Sequence, residues 1–184
     1  CRLIGALRAA PHAAVEHHAL HRLELRTPGA LAAVRAALAD APVPLVSLDD
    51  HAPGKGKFAN LDDYRRYARR YLGQEVEGAS IEEMIAAGRA ALAATEPLVE
   101  AALAGIAAGP RRPVVAAHDD DGPERVERMH AAGATLAEFP LTLAAAERAR
   151  SLGMRVAMGA PNLLRGGSLT GHAGARDLLA RGLL

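Results

Sequence analysis

Short apolar runs alternate with longer amphipathic stretches along almost the whole chain, and this alternation sharply limits what it can fold into. RLELR (22–26), PLVSLDD (44–50), PVVAAH (113–118), ATLAEF (134–139) and RVAMGAP (155–161) read as strands. Between them lie helical patterns: PGALAAVRAALAD, opened by Pro28 and Gly29, then PERVERMHAAG and TLAAAERARSLG. A long helical excursion separates the second strand from the third. It holds LDDYRRYARRYLG and a second stretch that opens on the capping box Ser80 and Glu83 and is expected to bend or break at Pro97. GARDLLARGLL, at the C-terminus, reads as one more helix start.

Strands that alternate with helices form a parallel sheet, because a parallel connection needs a crossover long enough to hold a helix. Two α/β architectures then compete. A doubly wound sheet usually carries a glycine-rich turn of the GxGxxG kind after its first strand, and no strand here is followed by one. A TIM-barrel-like fold places its chemistry on the loops that follow the strands, where this chain's charge collects. Asp49, Asp50 and His51 follow the second strand, His118 to Asp121 the third, Glu138 ends the fourth, and Asn162 with Arg165 follow the fifth. About five βα units are legible, whereas a closed barrel needs eight strands and roughly 250 residues. The expectation is therefore a single domain over residues 1–184, an incomplete barrel of a partial chain, since the first residue is Cys1 where Met should stand. Open sheet edges would make self-association, as a homo-oligomer, a hazard.

Composition excludes several function classes. Twenty-two basic residues stand against 21 acidic ones, a net charge of +1, which argues against a general nucleic-acid binder. The longest apolar region, LVEAALAGIAAG, is interrupted by Glu100 and is too short for a bilayer, so no membrane role is expected. A lone cysteine cannot form an internal disulfide, and the cytoplasm is the default compartment. Half of the residues are apolar, enough for a core.

The chemistry concentrates in HDDD, residues 118–121, directly after five small apolar residues. His51 and His118, at the ends of neighbouring parallel strands, would project into one mouth. Imidazoles with carboxylates nearby are the usual ligands of Zn²⁺ or a similar divalent ion. An ion so held lowers the pKa of a bound water, and Asp119 or Asp120 could orient a ligand or take the proton. The plainer reading of the aspartates is that Asp120 or Asp121 caps the following helix. Lys55 and Lys57, in DHAPGKGKF, and Arg165, Gly166, Gly167 and Ser168, in GAPNLLRGGSLTG, could grip phosphates, although ordinary glycine-rich turns would look the same. His12, His17, His18, His21 and His130 read as solvated. Tyr64, Tyr67 and Tyr71 read as a packing stripe, and the arginines Arg65, Arg66, Arg69 and Arg70 as a solvated face.

Four stretches in order carry a resemblance: SLDDHAPGKGKF (47–58), HDD (118–120), EFP (138–140) and GAPNLLRGGS (159–168). Together they resemble the amidohydrolase superfamily, in its branch serving the carbon–phosphorus lyase pathway of phosphonate catabolism. The resemblance implies a metal-dependent hydrolase that releases pyrophosphate from a ribose 5-triphosphate bearing a 1-phosphonate, with one or two Zn, Mn or Fe ions. By position, His51 and His118 would be metal ligands. Charge and geometry, more than the resemblance, make Lys55, Lys57, Arg165 and Ser168, with Asn162, the residues that would meet the phosphorylated sugar phosphonate, and the cluster's own chemistry makes Asp119 and Asp120 the catalytic candidates.

The chain also departs from that pattern. The family's first-strand His and Asp and its last-strand Asp are absent. Its SHSGN loop reads Ser168, Leu169, Thr170, Gly171, His172 here, and lysines replace glutamines at 55 and 57. The family's acidic residue near HLRCE has only Glu24, at a shifted position, as its counterpart. Two other readings stay open: an amidohydrolase acting on a C–N bond, which would not need the cationic loops, and a non-catalytic fragment that self-associates and holds no metal.

Overall fold

A computed structural model describes residues 2–9, 14–71, 75–76, 79–108, 112–168 and 171–184. Cys1, His12, Leu169 and Thr170 lie outside the described residues, as does the side chain of Tyr71. The elements run α1 (Arg2–Ala9), β1 (Leu20–Glu24), α2 (Ala30–Ala39), β2 (Leu45–Asp49), a 3-10 turn (Gly56–Phe58) and α3 (Leu61–Tyr71). A two-strand ribbon follows, β3 (Glu75–Val76) and β4 (Ala79–Ser80), and then α4 (Ile81–Ala90) and α5 (Leu92–Ala107). The rest is β5 (Val114–His118), α6 (Pro123–Ala131), β6 (Ala134–Glu138), α7 (Leu143–Ser151), β7 (Arg155–Ala157), α8 (Ala160–Arg165) and α9 (Ala175–Ala180).

β1, β2, β5, β6 and β7 form one five-stranded sheet, in that order, and every pairing is parallel. Neighbours in space are thus successive strands of the sheet. The order lacks the reversal at which a doubly wound sheet builds its ligand crevice, and it matches a run of consecutive barrel strands.

Period-2 alternation divides the two faces. Leu23, Val46, Leu48, Val115, Ala117 and Ala137 turn to the helices and pack in one core with Val34, Leu38, Val99, Leu103, Ile106, Val126, Met129 and Ala149. Each fully buried Leu, Val or Met there stabilises the fold by about 1.5–3 kcal/mol. The opposite face carries the sheet's polar side chains, above a lower row of Leu20, Leu45 and Val114. Its upper row, at the carboxyl ends of the strands, contains Glu24 opposite Asp49, and His118 opposite Glu138. Two residues below, Arg22 pairs in register with Ser47, and Ser47 with Ala116.

Several boundaries differ from the sequence reading. β1 begins and ends two residues before RLELR, yet Leu25 is buried and its N–H still donates to the Asp49 carbonyl at 2.9 Å. RVAMGAP is a strand only to Ala157, because Gly159 and Pro161 open α8. The helical excursion bends by 67° at Ala91 and not at Pro97. Pro97 sits early in α5, where an arginine and a hydroxyl take up first-turn carbonyls: Thr95 Oγ1 donates to Ala91 O at 2.8 Å and Arg26 to Leu92 O at 2.9 Å. No single helix among the described residues is long and apolar enough to cross a membrane. Tyr64 and Tyr67 pack with Phe58 and Ile85 in a satellite cluster rather than on the main core. That cluster seats the 51–58 loop, and a Cβ on Gly88 of α4 would stand 2.6 Å from the Pro53 ring.

Candidate metal centre

The upper row of the polar face becomes a site because register, not sequence distance, brings its members together. Asp49 ends β2, His118 ends β5, and His51 follows β2 by two residues. Each offers one ligand atom, and those atoms lie within 4.8 Å of one another. The two imidazole rings stand 5.8 Å apart, centre to centre. His51 also contacts Glu24 through Nδ1, so its other nitrogen, Nε2, is the one turned toward Asp119, 3.9 Å away.

Fixed partners hold these groups from outside. Arg22 donates to both oxygens of the fully buried Asp49, at 2.9 and 2.7 Å, the bidentate geometry of a guanidinium on a carboxylate. Burial still raises the Asp49 carboxyl above its ordinary value, against the lowering effects of Arg22, His118 and His51. Burial also opposes the charge on His51, but Glu24, Asp49 and Asp119 outweigh it and raise its pKa. Ser47 Oγ donates to Glu138 Oε2 at 2.8 Å, tying the row to β6.

His118 Nδ1 and Asp119 Oδ2 are buried and make no hydrogen bond. His118 Nδ1 lies 3.1 Å from Asp119 Oδ2 and 3.5 Å from Asp49 Oδ1. Buried polar atoms left without hydrogen bonds call for an explanation, and lone pairs from two imidazoles and a carboxylate are the donor set that a divalent ion takes. The residues fit the group.

The chain turns sharply above the row. Asp119 and Phe139, directly after β5 and β6, have φ of 57° and 56°, a left-handed conformation that is costly for a bulky phenyl residue. Both backbone N–H groups extend the ladder by one more bond, Asp119 to Glu138 O at 3.0 Å and Phe139 to Ala157 O at 2.9 Å. The turns direct both side chains into a cavity of about 190 Å³. Lys57, His118, Asn162, Ser168 and His172 also line it. Lys57 Nζ stands 3.3 Å from Asp119 Oδ2. Burial pushes the Asp119 carboxyl up, but His118 and Lys57 outweigh it and hold it below the usual carboxylate range.

Not every expected site residue meets there. Lys55 faces a separate cleft and pairs with Asp50 at 3.8 Å. Arg165, at the end of α8, is exposed and lines neither space. Asn162 also has a structural task, since its Oδ1 accepts from the Ala175 N–H at 2.9 Å and ties α8 to α9. Asp120 is buried against Arg125, 3.3 Å away, and burial pushes its carboxyl up to about 6. Neither Asp120 nor Asp121 caps α6; the N-cap is the extended Gly122, with no side-chain bond. Of the histidines read as solvated, His130 is exposed, but His17, His18 and His21 are half-buried, His18 bonded to Arg8 at 3.2 Å and His21 with its Nε2 buried. The Arg65 guanidinium is tied to Glu82 at 2.7 Å and to Asp62 at 2.8 Å.

Sequence reasoning missed Asp49 and Arg22 as site components. The signal was present in the alternation, which puts Arg22, Glu24, Ser47 and Asp49 on one face of β1 and β2.

No family model matches the chain, and no solved structure matches it. The chain is similar to the α-D-ribose 1-methylphosphonate 5-triphosphate diphosphatase of Escherichia coli K12, with 42% identity over 146 residues. The match covers 78% of this chain and 37% of the length of that enzyme.

Proposed function

We propose that this chain carries the metal-binding part of an amidohydrolase-type hydrolase on a TIM-barrel-like fold. Its substrate would be a ribose 1-methylphosphonate 5-triphosphate, from which it releases pyrophosphate. The observation that carries the reading is the meeting of Asp49, His51 and His118 within 4.8 Å at the carboxyl ends of adjacent parallel strands. The similarity to the E. coli diphosphatase and the sequential strand order support it.

A divalent ion held by Asp49, His51 and His118 would supply Lewis acidity and lower the pKa of a water. The remaining chemistry belongs to side chains. Glu24 fixes the His51 ring and Arg22 the Asp49 carboxylate, so neither ligand has to reorganise when the site fills. Asp119, held anionic in the cavity wall, takes the proton of the attacking water as the anhydride bond between the α and β phosphorus atoms breaks. Lys57, with Asn162 and Ser168, meets the phosphoryl oxygens as charge develops on them. Asp120 acts from beneath: its backbone carbonyl accepts from the Leu141 N–H at 2.8 Å and ties the turn after β5 to the one after β6. Lys57 in the wall favours a phosphate substrate over a neutral cyclic amide.

The test is elemental analysis of purified protein, followed by assay of pyrophosphate release from ribose 5-triphosphates with Zn²⁺, Mn²⁺ or Fe²⁺ supplied. About one or two ions per chain with metal-dependent release is the expected outcome. A metal-free protein that gains no activity from any of the three ions ends the proposal.

A further inference from the structure

His172 has no assigned part in the site, yet it lines the same cavity as His118, Asp119 and Lys57. Its Nε2 is buried and has no hydrogen-bond partner. A buried imidazole nitrogen left unbonded costs free energy unless something else completes it. Two occupants could do so here: the ion or the substrate.

The geometry separates them. Among the described residues, the group able to hold a metal is Asp49, His51 and His118, and His172 is not in it. His172 is instead part of the wall that carries Lys57, Asn162 and Ser168. An imidazole N–H beside an ammonium and an amide is a donor set for phosphoryl oxygens.

The backbone that follows His172 is held, which a contact residue needs. Ala173 N–H donates to Leu141 O at 2.8 Å, and Ala175 N–H to Asn162 Oδ1 at 2.9 Å. Leu141 in turn donates to Asp120 O at 2.8 Å, so one chain of bonds runs from the turn after β5 through the turn after β6 to residue 173. Gly171 precedes the histidine with φ of 75°, a conformation that L side chains rarely adopt. The ring thus stands directly before a segment anchored to the turn after β6 and to α8.

We propose that His172 is a substrate-binding residue of this site, donating from Nε2 to a phosphoryl oxygen of the triphosphate. The inference rests on the hydrolase reading above. It also bears on the sequence, because His172 stands where the family pattern has no histidine, so this contact is a property of the chain and not of the resemblance.

The test is calorimetric titration of the metal-loaded protein with inorganic pyrophosphate, in the unsubstituted protein, His172→Ala and His172→Gln. The probe contains the anhydride oxygens that the cavity would receive. His172→Ala should weaken binding about tenfold or more, the usual cost of a lost bond to a charged group, with metal content unchanged. His172→Gln, whose amide N–H reaches a similar distance, should recover part of the loss. Equal affinity in all three proteins overturns the inference and leaves the hydrolase reading standing. Loss of metal in His172→Gln also overturns it, making the residue a ligand. Failure of the unsubstituted protein to bind pyrophosphate removes both the inference and the reading beneath it.

Discussion

Two spaces open beside each other near the carboxyl ends of the strands, and they differ in a way that their sizes conceal. The larger, about 310 Å³, lies around Lys55, Asp50, Arg125 and Arg128; the smaller, about 190 Å³, holds His118, Asp119, Lys57 and His172. In the larger cleft each cation has a carboxylate partner. Lys55 and Arg125 both reach Asp50, Arg125 reaches Asp120, and Arg128 pairs with Glu96 at 2.7 Å and Glu100 at 2.5 Å. Burial would raise Asp50, but Arg26, Arg125 and Lys55 hold it below its usual range. One buried oxygen beside Arg125, Asp120 Oδ2, makes no hydrogen bond; the smaller cavity gathers three such atoms, His118 Nδ1, Asp119 Oδ2 and His172 Nε2, with the cation Lys57 near Asp119. A cleft whose cations are already paired has few charges left for a ligand; one that gathers several buried atoms without hydrogen bonds is arranged for something else.

The strongest way to break this contrast is to remove a ligand. His118→Ala should cost metal affinity more than the roughly 10–100-fold that loss of an outer partner costs, and leave the purified protein without stoichiometric metal. Full metal content in that variant would end the ligand assignment. Next in size is Arg22→Ala, which leaves the buried Asp49 carboxylate unpaired. A loss of about 2–3 kcal/mol in urea unfolding of the metal-free protein is expected. A third comparison sets the two lysines against each other: Lys57→Met should weaken pyrophosphate binding about tenfold, while Lys55→Met, in the matched cleft, should change it less than about twofold. Equal effects would merge the two spaces into one site. Smallest of all, Arg128→Ala removes surface pairs and should cost less than about 1 kcal/mol of stability, with no change in metal content.

Much of this fold could be read from the chain. Runs such as VVAAH and ATLAE announced their strands to within a residue, because small and β-branched side chains buried on one face leave a short unbroken apolar signature. The boundary of β1 was misplaced for a physical reason. Leu23 and Leu25 are both buried, so the apolar alternation continues beyond the last residue that pairs as a strand. His51 and His118 were legible as a pair because each stood at a strand end. Asp49 was not, since a carboxylate at that point looks like the start of a loop, and only the register of β1, β2 and β5 shows it facing the histidines. The Glu24 contact with His51 was hidden in the same way. Lys55 and Lys57 show the opposite limit: two residues apart in one short loop, they enter different spaces because the 3-10 turn at Gly56–Phe58 rotates one away from the other.

The strand order also has a consequence for how such a chain acquires its shape. Every strand of the sheet pairs with the one made just before it, so an emerging polypeptide can add each βα unit to a surface that already exists. Three of the four pairings close short crossovers. The fourth, β2 with β5, must wait for the whole excursion through α3, α4 and α5, and closing that longer loop is the costly contact in a progression otherwise built from near neighbours. Asp49 and His118 sit on the two sides of that pairing. The two therefore come together only when that longest loop closes.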